Sequence, residues 1–290
     1  MSVGRWTMRA MLVGKKEFLV AIRSRVLLGL IALFVLFTVG GIVLAAQFGN
    51  LVNADSNTVS ILFGLLSPAA MFVPIIGTLI GYKAIAAERE SGSIYSLLGM
   101  SHSRGTIVFG KIIGRSCVVA VSIVLGFSAG AVALVAATGT IRPVQFLVFV
   151  GATLLLGVAY VSLAVAISST TGSTTRAAWG AFGTFVVLNF LWELLAFLLH
   201  FLHTGTTSIE PPLPEWFVLF FRLSPAVAYQ IVATATLPED DLFLSGLAEV
   251  SGTAGETPFY LEPWFAVGIL GFWIVVPAAA GYVRFKRLEI

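Results

Sequence analysis

Six apolar runs, each about 20 residues long or longer, constrain the fold of this chain more than any other feature. A helix rises about 1.5 Å per residue, so about 20 residues cross the roughly 30 Å of hydrocarbon in a bilayer. The chain is 58% hydrophobic and 11% charged, which is more apolar surface than a water-soluble domain can bury. The runs are 26–46, 61–82, 112–137, 144–167, 177–199 and 264–283. The sequence therefore predicts an all-α integral membrane protein with six transmembrane helices in a single domain, residues 1–290.

The distribution of positive charge predicts the orientation of these helices. With the amino terminus in the cytoplasm, all of the 17 Lys and Arg residues except Arg142 and Arg222 fall on the cytoplasmic side. Basic residues concentrate on that side of membrane proteins, so we expect both termini to be cytoplasmic. The long loop 200–263, which carries most of the acidic residues, then lies outside. The net charge of +3 follows this distribution and gives no reason to expect a nucleic acid partner.

The amino-terminal residues 1–25 are basic, and their apolar residues recur at roughly helical spacing. Arg9, Lys16 and Arg23 repeat every seven residues. This pattern predicts an amphipathic helix in the headgroup layer, with its cations toward anionic lipid. A signal peptide is the alternative, but the apolar run 26–46 is longer than the hydrophobic region of a typical signal peptide.

One further apolar stretch lies in the long outer loop. Residues 216–223, WFVLFFRL, are too few to cross the membrane, and Pro225 ends the stretch. We expect an amphipathic or re-entrant helix against the outer leaflet, just before the last span. A seventh, broken span is the alternative, although it would move the basic carboxy-terminal end to the outside.

The segment between the second and third spans, residues 81–115, is the most highly charged part of the chain. Side chains charged at this density do not lie in hydrocarbon, so the segment leaves the membrane. Residues 84–89 favour a helix, Ser91 and Gly92 interrupt it, and several apolar residues follow. The charged residues are Lys83, Glu88, Arg89, Glu90, Arg104, Lys111 and Arg115. The sequence predicts a short helical segment, residues 84–104, on the cytoplasmic membrane surface.

A nucleotide-binding motif in this region is incomplete. Residues 105–111, GTIVFGK, fit the pattern G-x-x-x-x-G-K, but Ile112 replaces the Ser or Thr that would hold magnesium. The motif also enters a predicted membrane helix and does not follow a strand. We therefore expect no ATP site in this chain.

The same region carries a family resemblance. A span followed by GY…AI..ERE.G(S/T), paired Leu residues, Ser-x-Ser-Arg and a GK that enters the next span resembles the ABC-2 type permeases. Within them it is similar to the subgroup of the nitrous-oxide-reductase maturation permease. Residues 100–102 depart from the pattern, because many relatives carry a proline in this turn. The matching residues are Glu88, Arg89, Glu90, Gly92, Ser93, Leu97, Leu98, Ser103, Arg104, Gly110 and Lys111.

The resemblance implies a permease subunit of an ATP-binding-cassette transporter, which is not itself an enzyme. A separate ATPase subunit would hold ATP and Mg²⁺, and this chain would bind no cofactor. A second copy or a related permease would complete an exporter surrounded by the lipids of a prokaryotic plasma membrane. The alternatives are a membrane scaffold for maturation and an ion-coupled carrier, neither of which has an ATPase partner.

The 84–104 segment would then be the coupling helix that receives force from the ATPase. Glu88 and Glu90 would pair with cations of the ATPase, and the apolar residues would enter its groove. A plain solvated loop resting on lipid is the alternative. The residues expected at this contact are Glu88, Arg89, Glu90, Gly92, Ile94, Tyr95, Leu97, Leu98 and Arg104.

Few other polar residues suggest a site. Glu193 is the one acid well inside a predicted span, and it could line a translocation path with Asn189, one turn away on the same face. It could also simply reach water near the outer interface. His200 and His203 are too few to predict a metal site. A single cysteine, Cys117, excludes a disulfide framework within the chain.

Overall fold

A computed structural model of the protein describes residues 3–22, 25–51, 58–95, 103–206, 213–237 and 258–287. All regular structure in these residues is helical, which confirms the predicted all-α fold. It includes a π-helical turn, Val187–Leu191, and a 3₁₀ turn, Phe259–Leu261. The helices are α1 (Val3–Ile22), α2 (Arg25–Leu51), α3 (Thr58–Gly81), α4 (Ala86–Glu90), α5 (Arg104–Thr138), α6 (Pro143–Thr170), α7 (Thr174–Val186), α8 (Trp192–Thr204), α9 (Glu215–Arg222), α10 (Pro225–Thr234) and α11 (Pro263–Lys286).

Six helices in the described part of the chain are long and apolar enough to cross a membrane. They are α2, α3, α5, α6, the continuous pair α7–α8, and α11, and they confirm the six predicted spans. Each of them extends beyond the apolar run that predicted it, and α5 does so the furthest. Helix α5 begins at Arg104, eight residues before the predicted span, because its first turns are amphipathic and lie against α1.

Helix α6 lies at the centre of the bundle. It contacts α3, α5, α10 and α11, and residues around its whole circumference are buried, including Leu156, Ala159 and Val161. Its 28 residues include no Asp, Glu, Lys or Arg. A helix that is apolar on all sides is stable only when it is enclosed, so the composition of α6 accounts for its central position.

Glycine residues let several of these helices approach each other closely. A Cβ atom added at Gly81 of α3 would lie 2.5 Å from Ala164 Cβ of α6, and one at Gly126 of α5 would lie 2.5 Å from Phe34 Cβ of α2. The Thr38 hydroxyl of α2 donates a hydrogen bond of 2.7 Å to Gly126 O. Small residues in the spans therefore pack helices within one subunit.

The GKIIGR stretch at the start of α5 forms a similar contact with α1. A Cβ atom added at Gly114 would lie 2.6 Å from Glu17 Cβ and 2.9 Å from Gly14 O. One added at Gly110 would lie 2.7 Å from Val13 Cβ. Helix α1 is therefore packed backbone to backbone against α5, a contact that we did not predict from the sequence.

Helices α9 and α10 meet at an angle of 88°. Helix α9 matches the stretch predicted at 216–223, whereas α10 was not predicted. Pro225 was expected to end the helical stretch, but it occupies the first turn of α10, where the missing N–H of proline costs nothing. At the bend, the Trp192 indole donates to Phe220 O (3.0 Å) and the Trp273 indole donates to Leu223 O (2.9 Å). If the bent pair is counted as one broken span, the helices would cross the membrane seven times.

The close contact at Gly126 can be tested by comparing the stabilities of two Gly→Ala variants. We expect Gly126→Ala to destabilise the protein by about 1–3 kcal/mol, because α2 must move away from α5. Gly151→Ala in α6 is the control, since nothing lies within 4 Å of a Cβ atom at that position. Both substitutions gain up to about 1 kcal/mol of helix propensity, so the difference between their thermal melting curves in detergent isolates the clash. Equal melting temperatures would contradict the packing described here.

Candidate functional site

The 84–104 segment begins directly after α3 and folds into the short helix α4. Gly92 ends this helix with a φ of 75°, in the left-handed region that glycine adopts most easily, and residues 93–95 are helical again. Residues 96–102 lie outside the described residues. The expected contacts of Leu97 and Leu98 therefore stay predictions.

Ser168 of α6 holds the start of α4. Its Oγ accepts hydrogen bonds from the backbone N–H groups of Ile85 (3.0 Å) and Ala86 (2.9 Å). The first N–H groups of a helix have no partner inside it, and Ile85 at the N-cap has no side-chain oxygen to supply one. All three residues are buried, so α6 supplies the cap that the local sequence lacks.

Lys111, near the start of α5, is the centre of a buried charge cluster. Its Nζ lies 2.7 Å from Glu88 Oε1 of α4 and 3.1 Å from Glu17 Oε1 of α1. The other oxygen of Glu17 lies 3.5 Å from Arg115 Nε, one turn further along α5. Only 1% of Lys111 is exposed, so the two carboxylates neutralise an ammonium group that has lost its water. The cluster connects α1, α4 and α5.

The end of α4 contacts the next two helices. Glu90 Oε2 accepts a hydrogen bond of 3.1 Å from the backbone N–H of Thr174, the first residue of α7. Hydrogen bonds from the side chain and backbone of Thr174 lower the pKa of Glu90, so this carboxylate is ionised at neutral pH. A negative charge at this position also complements the dipole of α7. Arg89 Nη1 donates to Ser169 O at the end of α6, at 3.5 Å.

Two arginines cap the carboxy-terminal ends of neighbouring spans. Arg104 Nη1 donates hydrogen bonds of 3.0 Å to Phe285 O and to Lys286 O at the end of α11. Arg115 Nη1 donates one of 3.2 Å to Ile80 O at the end of α3. Guanidinium groups suit these positions because the last carbonyls of a helix lack partners and carry partial negative charge.

The structure places the predicted contact residues on two different sides of the segment. Tyr95 is 61% exposed and Glu90 is also exposed, whereas Ile94 is 1% exposed. The expectation that Ile94 projects toward a partner is therefore corrected, since it packs in the core of this chain. Glu88 is likewise directed inward, because its carboxylate neutralises Lys111.

Sequence reasoning did not identify Glu17, Lys111 or Ser168 as parts of this site. The spacing in GKIIGR was the available signal. It places two cations, Lys111 and Arg115, beside two glycines on one face of α5, and that face is where α1 and its single acid dock.

The two residues predicted for a translocation path lie near the π-helical turn. Asn189 Nδ2 donates to Tyr160 Oη (2.6 Å) and to Phe185 O (3.0 Å), so its amide is directed into the bundle. Glu193 is exposed and has no hydrogen bond or ion pair within the described part of the chain. Asn189 is half-buried and Glu193 is exposed, and their shared translocation path stays a prediction.

The two histidines contact aromatic rings. His200 lies 5.0 Å from the ring of Phe217, and His203 lies 5.5 Å from that of Trp216, measured between ring centroids. Among the described residues, no group of three or more His, Cys, Asp or Glu side chains is placed to hold a metal ion.

Comparison with known proteins gives a family for this arrangement of spans. The family described as "ABC-2 family transporter protein" matches residues 11–290. The "Probable ABC transporter permease protein NosY" of Pseudomonas aeruginosa is 30% identical over 227 residues, which cover 76% of this chain and 79% of that relative. The protein of the same name from Stutzerimonas stutzeri is 28% identical over 224 residues, again 76% of this chain and 79% of the relative. The resemblance seen in residues 81–115 is thereby confirmed, and the chain belongs to the ABC-2 transporter family, as a membrane permease.

Proposed function

We propose that this permease couples ATP hydrolysis by a separate ATPase subunit to the export of a substrate across a prokaryotic plasma membrane. The observation that carries the proposal is the Lys111 cluster, which joins α4 of the 84–104 segment to α1 and α5 through the ion pairs of a buried lysine. In this proposal ATP and Mg²⁺ are held by the ATPase, and this chain binds no cofactor and catalyses no reaction.

The short length of α4 supports a role in transmitting movement. A helix of five residues has no stability of its own, so its position depends on the elements that it contacts. Those contacts are Ser168 of α6, Lys111 of α5 and Thr174 of α7. A partner that binds the segment differently in two states would therefore shift three spans together. Tyr95 and Glu90 are the exposed residues of the described segment that we assign to this contact.

Glu193 supports a second subunit beside α7 and α8. A carboxylate at membrane depth requires water, a proton or a partner, and in this chain it faces outward. We assign it to a water-accessible translocation path that forms between this chain and a second copy or a related permease. Asn189, whose amide is held by Tyr160, would position the π turn beside that path.

The remaining elements are assigned to the two membrane surfaces. Exposed apolar residues of α1, including Met8, Leu12 and Leu19, would rest in the cytoplasmic leaflet, and the long side chains of Lys15 and Lys16 would extend to its headgroups. The bent pair α9–α10 would enter and leave the membrane from the outer side, which keeps the basic carboxy-terminal end in the cytoplasm.

Tyr95 provides a direct test of ATPase docking. We expect Tyr95→Ala to weaken association with the ATPase about 30-fold, since buried Tyr anchors contribute about 2 kcal/mol or more at interfaces. The measurement is co-purification of a tagged permease with the ABC ATPase encoded nearest to its gene. Phe259→Ala is the control, because Phe259 is similarly exposed (62%) but precedes the last span at its outer end. If the wild-type permease retains no ATPase, the proposed function is wrong.

The Lys111 cluster is tested by removing its charges singly and together. Lys111→Met leaves Glu88 without its cation and Glu17 with Arg115 alone, and we expect it to lower stability by about 2 kcal/mol or more. The triple variant Lys111→Met, Glu17→Gln, Glu88→Gln removes all three charges, and we expect it to recover that stability. The proposal requires that the triple variant still binds the ATPase but loses stimulation of ATP turnover by the permease. Normal stimulation in a stable triple variant would show that the cluster only supports the fold.

Water access to Glu193 tests the translocation path. In a Cys117→Ala background, we expect Glu193→Cys to react with a membrane-impermeant maleimide at least about tenfold faster than Leu194→Cys, since the reactive thiolate forms only in contact with water. Leu194 is the matched control because it is the adjacent residue and is 62% exposed. Equal labelling rates would place Glu193 against lipid and remove it from the path.

A further inference from the structure

The last span carries an apolar groove that no other helix of the described chain covers. Its volume is about 520 Å³. Alanines at its centre make it concave, and the flanking valines remain 45–64% exposed. The groove has walls of Val275, Val276, Ala279, Ala280 and Val283, and it ends at Arg284 and Arg287.

The length of the groove matches one leaflet of a bilayer. From Val275 to Arg287 the helix rises about 18 Å, and the hydrocarbon of one leaflet is about 15 Å thick. The two arginines are therefore at the depth of the phosphate groups when the valines and alanines lie among acyl chains. One acyl chain extended along the groove would contact its whole apolar length.

The charges at the end of the groove have no partner within the described residues. Arg284 and Arg287 are exposed, one helical turn apart, and neither forms an ion pair or a side-chain hydrogen bond there. The last carbonyls of α11 do not compete for them, because Arg104 already donates to Phe285 O and Lys286 O. Two guanidinium groups at this spacing match the oxygens of a phosphate, which each can bind in a bidentate manner.

We propose that this groove binds an anionic phospholipid of the cytoplasmic leaflet. Its acyl chain lies against the valines and alanines of α11, and its phosphate lies between Arg284 and Arg287. A second copy of the chain fits the surface less well, because two such faces would bring four guanidinium groups together. A zwitterionic lipid carries the same phosphate, but its ammonium group cancels the attraction.

The bound lipid would also act on the coupling segment. Arg104, the first residue of α5, holds the final turn of α11, and that turn carries both lipid-binding arginines. A lipid bound there would stabilise the turn and, through Arg104, the end of the 84–104 segment. This consequence rests on the proposed function, whereas the binding of the lipid does not.

Native mass spectrometry of the full chain, purified in detergent, tests the binding. Added palmitoyl-oleoyl phosphatidylglycerol should bind at least about tenfold more tightly than the corresponding phosphatidylcholine. The double variant Arg284→Gln, Arg287→Gln should bind phosphatidylglycerol about 30-fold more weakly, at about fivefold for each basic residue lost near the membrane surface. Lys286→Gln is the matched control, because it removes one exposed cation from the same turn but outside the groove.

Filling the groove gives an independent test. Ala280→Phe should displace the acyl chain and weaken phosphatidylglycerol binding, whereas Val267→Phe, exposed on the same helix outside the groove, should have no effect.

Equal binding of the two lipids, or equal losses for Lys286→Gln and the double variant, would overturn the proposal. Disulfide formation between two Ala280→Cys chains lacking Cys117 would overturn it too, since a second copy would then cover the groove. ATPase co-purification is read separately, so failure here leaves the proposed function standing.

Discussion

The arrangement of the helix ends around α4 depends on one desolvated ammonium group. Lys111 is buried where α1, α4 and α5 meet, and among the described residues the carboxylates of Glu17 and Glu88 compensate for its charge. Burying an ion pair costs about as much as the attraction returns, so the cluster adds little net stability. A packing that separated these helices would leave the buried lysine without a carboxylate. The glycines at 110 and 114 are part of the same constraint, since α1 must approach α5 closely for Glu17 to reach the lysine.

Around this cluster, polar side chains from the long helices supply what the short segment lacks. Ser168 provides the N-terminal cap of α4, and Glu90 provides a negative charge at the start of α7. Arg104 and Arg115 satisfy the last carbonyls of α11 and α3. Each contact ends a helix and also links it to a neighbour. The spans are therefore joined at the ends near α4 by specific hydrogen bonds, whereas their middles are held by close packing of small and apolar residues.

The number and position of the spans could be predicted because hydrocarbon thickness imposes one length on every helix that crosses it. The contacts of the 84–104 segment could not, since they depend on residues far apart in sequence: Glu17 and Lys111 are separated by 94 positions. Ile94 illustrates the limit, because a short apolar stretch beside charges predicts a contact but not whether the contact is internal. The hydrogen bond between Asn189 and Tyr160 could not be predicted either, because the two residues are 29 positions apart in sequence. Pro225 was expected to end a helical stretch, but it begins α10. A proline can occupy either position, and only its tertiary contacts distinguish them.

The two indole hydrogen bonds at the bend between α9 and α10 become possible at different times during synthesis of the chain. The chain is synthesised from its amino terminus, so Trp192 has left the ribosome before the bend is made, whereas Trp273 emerges 50 residues after the carbonyl that it satisfies. Until then, the Leu223 carbonyl lacks the donor that it has in the folded chain. The hydrogen bonds at the bend are therefore complete only once the last span has been synthesised.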